Sequence, residues 1–197
     1  MVYIVGHRGA AGIRPENTIP SFRLAGELGV DRLDCDVRLS EEGHAVLMHD
    51  ATVDRTTNGT GRVSDLILEE IRALDAGGGE KVPLLGEYLA FLKQTGIPSE
   101  VEIKDPAALE TVLEEIRDHD VVELVCITAK LETATRAKEI LPGIDVGLPT
   151  ANPSREEIEQ AARIGASGVG IRYDHLTEEL VKFVQGLGLE ARGWNPV

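Results

Sequence analysis

The chain reads as an α/β protein whose βαβ units build a parallel sheet. Three observations carry that expectation. Short β-branched runs alternate with amphipathic helical patterns along the chain. Gly29, Gly96, Gly165 and Gly188 fall just after helical runs, where a left-handed C′ residue ends a helix. Ser154-Arg155-Glu156-Glu157 has the form of a capping box, with a weaker form at Thr128 ahead of Leu131-Glu132.

The first strand is expected over Val2–Val5 and runs directly into Gly6-His7-Arg8-Gly9. Pro15-Glu16-Asn17-Thr18 then opens a helix over Thr18–Leu28, followed by a strand over Arg32–Val37. In that strand Asp34 and Asp36 stand at i and i+2, so both side chains leave the same face. Two like charges there are costly unless a cation lies between them. Ser40-Glu41-Glu42-Gly43 is a tight turn between Asp36-Val37-Arg38-Leu39 and Ala45-Val46-Leu47-Met48. So short a segment cannot hold a crossover helix, which makes it a hairpin that folds His49-Asp50 back toward the strand end. Arg55-Thr56-Thr57-Asn58-Gly59-Thr60-Gly61 is read as a turn-rich rim without chemistry, and Gly77-Gly78-Gly79 as a flexible loop.

Beyond it, strands are expected over Glu100–Ile103, Leu124–Ile127, Asp145–Leu148, Gly168–Ile171 and Leu189–Trp194. Helices are expected over Leu84–Gln94, Ala107–Arg117, Leu131–Ile140, Ser154–Ile164 and Thr177–Gly186. Counting the hairpin as an excursion, that makes seven parallel strands.

Composition narrows the function classes. A length of 197 residues with 42% hydrophobic content is that of one globular domain, residues 1–197. A net charge of -14 and the lack of a basic run exclude non-specific nucleic-acid binding, which needs cations to displace counterions from phosphates. Met1-Val2-Tyr3-Ile4-Val5 is too short for a signal peptide or a membrane span, so a cytoplasmic protein without membrane insertion is expected. Cys35 and Cys126 sit in apolar strand runs without metal-ligand spacing and are read as small core residues.

Two histidines, several carboxylates and two cations recur at the ends of predicted strands, a residue kit suited to metal-assisted chemistry on an anionic substrate. A lone histidine of this kind is more often structural, and His44, His119 and His175 keep that reading. Asn17 is open to two roles, helix cap or site residue. Asp50 is open to an Asx turn ending the hairpin or to orienting a catalytic group.

Read in order, the blocks are His7-Arg8-Gly9, Glu16-Asn17-Thr18, Asp34-Cys35-Asp36, His49-Asp50 and Glu102-Ile103-Lys104. With these five blocks in register, the chain from Met1 to about Trp194 resembles the glycerophosphodiester phosphodiesterases, relatives of the phosphoinositide phospholipases C. The resemblance implies a TIM (β/α)8-type barrel with its site at the carboxyl ends of the strands. It implies a divalent cation held by Glu16, Asp34, Asp36 and Glu102, with His7 and His49 as the acid/base pair. Arg8 and Lys104 would bear on the phosphate, and Trp194, where the family carries a Trp near the end of the seventh strand, is open to lining the pocket or to being a core aromatic. Asp34 stands where the family carries Glu, one methylene closer to the backbone. An all-carboxylate donor set suits Ca2+ or Mg2+ rather than zinc.

The implied substrate is a small-molecule glycerophosphodiester, cleaved to glycerol 3-phosphate and an alcohol. Alternatives are a lysophospholipase D-like or cyclising action on a larger diester, and a barrel that binds phosphate esters without turnover. The stretch between Leu74 and Pro83 is shorter than in the family, implying a reduced lid. The family's eighth strand and last helix have no counterpart before Val197, so a C-terminal truncation is expected.

Overall fold

The computed structural model describes residues 3–194; Val2 of the expected first strand and Asn195-Pro196-Val197 lie outside them. The chain forms two compact units that divide between Val125 and Cys126.

The first unit opens with β1 (Val5–Gly6), α1 (Ile19–Glu27), β2 (Arg32–Leu39) and β3 (Ala45–Leu47), and continues with α2 (Leu68–Ala73), α3 (Leu85–Thr95), β4 (Ser99–Ile103) and α4 (Leu109–Asp118). Strands β1 and β4 flank β2, both parallel to it. Alternation along β2 decides its two faces. Leu33, Cys35 and Val37 are fully buried, while Asp34 and Asp36 leave the opposite face. The β2–β4 register sets Asp34 opposite Glu100 and Asp36 opposite Glu102, so two rows of acids share that face.

The hairpin forms as expected. Strand β3 pairs antiparallel with β2, Val37 opposite Leu47 and Leu39 opposite Ala45, and Ser40 and Gly43 close the turn. After β3 the chain wraps a small core of its own, Val46, Met48, Val53, Val63, Ile71, Ala76 and Val82. Helix α2, absent from the sequence expectation, lies here. It spans six residues and buries only Ile71, too little to leave a helical period in the sequence.

In the second unit β5 (Val125–Thr128), β6 (Asp145–Pro149), β7 (Gly168–Arg172) and β8 (Glu190–Trp194) pair in that order, all parallel. They alternate with α5 (Leu131–Ile140), α6 (Arg155–Arg163) and α7 (Glu178–Gly186). The Ser154–Glu157 capping box forms at α6. Thr128 does not cap α5: it ends β5 and is buried, and Lys130 takes the N-cap position without a side-chain bond.

Gly29, Gly96, Gly165 and Gly188 all adopt positive φ. Gly77, Gly78 and Gly79 also adopt positive φ, but as a turn in which Asp75 Oδ1 accepts the Gly77 and Gly79 N–H groups, not as an unstructured link. Both cysteines are buried and neither is in a disulfide. Seven parallel strands and the hairpin are present among the described residues, the number expected. No helix among those residues is long and apolar enough to cross a membrane.

Candidate active site

The loop after β1 carries His7 and Arg8 on a constrained backbone. Arg8 has φ 51° and Gly9 φ 81°; a Cβ on Gly9 would lie 2.6 Å from Ser21 Oγ and 2.7 Å from the Ser21 carbonyl carbon. Only glycine fits that closeness and that φ. The loop is tied to the start of α1: Asn17 N–H donates to Arg8 O at 3.0 Å, and Ala10 N–H to Ser21 O at 3.1 Å. His-Arg-Gly and Glu-Asn-Thr therefore form one structural piece.

Asp36, nearly fully buried, is its centre. Asn17 Nδ2 donates to Asp36 Oδ2 at 2.9 Å and Asp36 N–H donates back to Asn17 Oδ1 at 3.2 Å. The amide of Asn17 is thus spent on Asp36, which settles its two readings against a cap. Lys104 Nζ stands 3.0 Å from Asp36 Oδ1 and 2.7 Å from Glu102 Oε1. Arg8 Nε lies 3.2 Å from Asp36 Oδ2, close enough for an ion pair though off a hydrogen-bond line. Arg8 also reaches Glu16 Oε1 at 3.0 Å, and its backbone N–H donates to Asp34 Oδ2 at 3.1 Å. Asp36 thus has two cations beside it, whereas Asp34, the other acid of the pair, is met by the Arg8 backbone N–H and, among the described residues, by no side-chain cation.

On the hairpin side, the Arg38 guanidinium donates twice to His49 O, at 3.0 and 2.8 Å, and so fixes the backbone from which the imidazole projects. His49 Nδ1 lies 2.6 Å from Asp50 Oδ1. Asp50 is therefore an orienting carboxylate rather than a turn former. Arg55, read from sequence as a chemically silent rim residue, joins the two sides. Its Nε donates to Asp50 Oδ2 at 2.6 Å, while Nη1 and Nη2 each donate to Glu16 at 2.8 Å. Its loop matches a family pattern, but its partner Glu16 lies 39 positions away, so spacing along the chain does not pair the two.

Burial and charge together displace the titrating groups of the site. Burial, then repulsion from Arg8, lowers the His7 imidazole below its usual value, although the residue as a whole is exposed. Burial raises Asp34 well above the ordinary carboxylate range, assisted by the charge of Asp36 and, further off, Glu100 and Glu102. For Glu16 burial acts upward, but hydrogen bonding to Arg55 and the charges of Arg8 and Arg55 outweigh it, and the net direction is down. Hydrogen bonds from Arg55 and His49 hold Asp50 well below the usual range, so it is ionised.

The four carboxylates Glu16, Asp36, Asp50 and Glu102 thus face the three cations Arg8, Arg55 and Lys104, and Asp34 is held by the Arg8 backbone N–H. As a donor set for a metal, Glu16, Asp34, Asp36 and Glu102 fit a hard cation in kind, all carboxylate oxygen, and in charge. The upward displacement of Asp34 comes first from burial and second from the charge of Asp36. In this arrangement the carboxylates are turned onto Arg8, Lys104 and Arg55, and among the described residues no three His, Cys, Asp or Glu side chains converge as metal ligands. Trp194 ends β8 in the second unit, half exposed, with its indole N–H donating to Thr150 O at 2.7 Å.

Comparison with known proteins places these features in context. A sequence model of the Glycerophosphoryl diester phosphodiesterase family matches residues 7–196. A glycerophosphodiester phosphodiesterase from Caldanaerobacter subterraneus subsp. tengcongensis is 34% identical over 204 residues, covering 97% of this chain and 84% of its own. Among solved structures, a glycerophosphodiester phosphodiesterase from Agrobacterium tumefaciens is 30% identical with a TM-score of 0.84, covering 100% of this chain and 88% of that one. An Oleispira antarctica phosphodiesterase, solved in complex with the product sn-glycerol-3-phosphate, is 25% identical with a TM-score of 0.92, covering 100% and 85%. The fold is of the TIM-barrel type that the sequence resemblance implied.

Proposed function

We propose that this chain, which belongs to the glycerophosphoryl diester phosphodiesterase family, cleaves small glycerophosphodiesters to glycerol 3-phosphate and an alcohol in a reaction that requires a divalent cation. It is a phosphodiester hydrolase. The observation that carries the finer reading is the contrast between its two histidines. The imidazole of one is displaced downward by burial and then by an adjacent arginine, and the other has one ring nitrogen engaged by an ionised aspartate.

From these states the roles follow. His7, neutral near pH 7, accepts a proton from the attacking water as its oxygen bonds to phosphorus. His49, with Asp50 on Nδ1, turns Nε2 to the leaving alkoxide and gives it a proton as the P–O bond to the alcohol breaks. Arg8 and Lys104 turn from Asp36 toward the phosphoryl oxygens, where negative charge grows. Glu16, Asp34, Asp36 and Glu102 would hold Ca2+ or Mg2+, which when bound supplies further positive charge at those oxygens. The bound glycerol 3-phosphate in the Oleispira antarctica structure supports the product assignment.

The test offers purified protein glycerophosphocholine, glycerophosphoethanolamine and a lysophospholipid, each with Ca2+, Mg2+ or EDTA, and reads products by phosphorus NMR. Glycerol 3-phosphate formed only with a divalent ion supports the proposal. A cyclic phosphate or lysophosphatidic acid as the product would redirect it to a larger diester, and no turnover at all would reduce it to binding.

A further inference from the structure

We propose that Arg55 is a positioning residue of this active site, the clamp that keeps Asp50 on His49 and locks that pair to Glu16. The inference rests on the role given above to His49.

The four contacts of the guanidinium use two of its edges. Nε and Nη2 meet Asp50 at 2.6 and 3.2 Å, and Nη1 and Nη2 meet the two oxygens of Glu16 at 2.8 Å each. A planar fork can face two carboxylates at once in this way, whereas an ammonium is a single point of charge. The link completes a chain of alternating charge, His49–Asp50–Arg55–Glu16–Arg8–Asp36–Lys104–Glu102, which runs from the hairpin to the strand ends. Arg38 fixes only the backbone of His49; the ring direction depends on Asp50, and Asp50 is held by Arg55.

The loop that presents Arg55 is built for its place. Val53, fully buried in the small core beyond β3, anchors one end and donates its N–H to Gly61 O at 3.0 Å. A Cβ on Gly59 would come within 2.4 Å of Leu74 Cδ2, so the tip of the loop packs flat on that core. The Arg55 side chain itself is 48% exposed, so replacing it removes the clamp and leaves the core intact.

The experiment uses the whole chain with Arg55→Gln, Arg55→Lys and Asp50→Asn, folding being checked by circular dichroism. Two readouts are taken: kcat and KM on glycerophosphocholine, and the His49 ring nitrogens by 15N NMR. In the native protein an Nδ1–H signal that exchanges slowly is expected, because Asp50 engages that nitrogen. In all three variants that signal broadens and the ring samples both tautomers, while kcat falls about 10- to 100-fold and KM changes less. Lysine fails to rescue because it cannot span both carboxylates.

Native kcat with an unchanged His49 signal in Arg55→Gln overturns the proposal. So does a loss confined to KM with the tautomer unchanged, which would place Arg55 on the substrate instead. Should Arg55→Gln fail to fold, Arg55→Lys and Asp50→Asn decide the matter. If the native protein turns over no diester, the functional reading fails, and the NMR comparison still decides whether Arg55 sets the state of His49.

Discussion

Asn17 and Asp36 exchange two hydrogen bonds, amide to carboxylate at 2.9 Å and backbone N–H to amide oxygen at 3.2 Å. The exchange joins the start of α1 to the centre of β2 and is paid for in backbone strain, since Asn17 sits at φ 55°. Asparagine is the residue that tolerates this conformation and also presents a donor and an acceptor.

Asn17→Ala is therefore expected to destabilise the fold by about 2–4 kcal/mol. Alanine at positive φ costs about 1 kcal/mol, and an unsatisfied buried N–H at Asp36 a further ~1–3 kcal/mol. Urea unfolding of both proteins measures the difference, and a change under 0.5 kcal/mol would mean that Asp36 finds another donor.

Gly9→Ala is expected to be more harmful, because both φ and space exclude a side chain. The added Cβ meets backbone atoms of Ser21 and Phe22 at 2.7 and 2.8 Å, which cannot rotate aside. The loop must shift and take Arg8 off Asp34 and Asp36. Thermal melting should fall together with turnover; native activity at a native melting temperature would show that the loop has room this geometry lacks.

His7→Ala and His49→Ala should each lose about 10²–10⁴-fold in turnover with the fold retained, since each removes a proton-transfer group. Circular dichroism and phosphodiesterase assays on the same preparations check this. Near-native rates in either variant would take that histidine out of the mechanism.

Chelation should abolish activity, and Asp36→Asn should weaken the divalent ion more than Asp50→Asn does. Asp36 would contribute a direct ligand charge, whereas Asp50 acts on His49 and Arg55. Calorimetric titration with Ca2+ and Mg2+ ranks the variants. Heats identical to native for Asp36→Asn would remove that residue from the ligand set.

The pH dependence follows from His7. Burial and Arg8 place its folded value below the 6.5 of an unstrained histidine. The neutral base is then available at a lower pH than usual, and the acid limb of kcat/KM for the free enzyme should have its midpoint below that value. For stability the sign is fixed in the same way. As pH falls through 6.5 the unfolded chain takes up a proton that folded His7 does not, so stability declines until the folded value is reached and His7 contributes no further change below it. A proton NMR titration of His7 beside the pH–rate profile tests both, and a midpoint above 6.5 in either would contradict the assignment.

Much of this architecture was legible in the chain. Period-2 alternation placed Asp34 and Asp36 on one face of β2, the hairpin was legible from a turn too short for a crossover helix, and glycines marked four helix ends. These features are local: each depends on residues within one or two turns of chain, where side-chain direction and backbone propensity act. The five motif blocks were equally visible, because each lies within a few consecutive residues.

The tertiary structure decided what those blocks do to one another. The parallel register of β2 and β4 set Asp36 opposite Glu102, and only then could Lys104 serve both. Asn17 became a partner of Asp36 rather than a helix cap, Asp50 an orienting group rather than a turn former, and Arg55 a clamp rather than a rim residue. Ion pairs across 39 positions depend on the path of a loop, and that path is fixed by the packing of Val53 and Gly59 on a small core. Local propensity carries no record of such a distance, so the chain by itself determined which chemical groups are present and which faces they leave. The fold alone determined which group holds which.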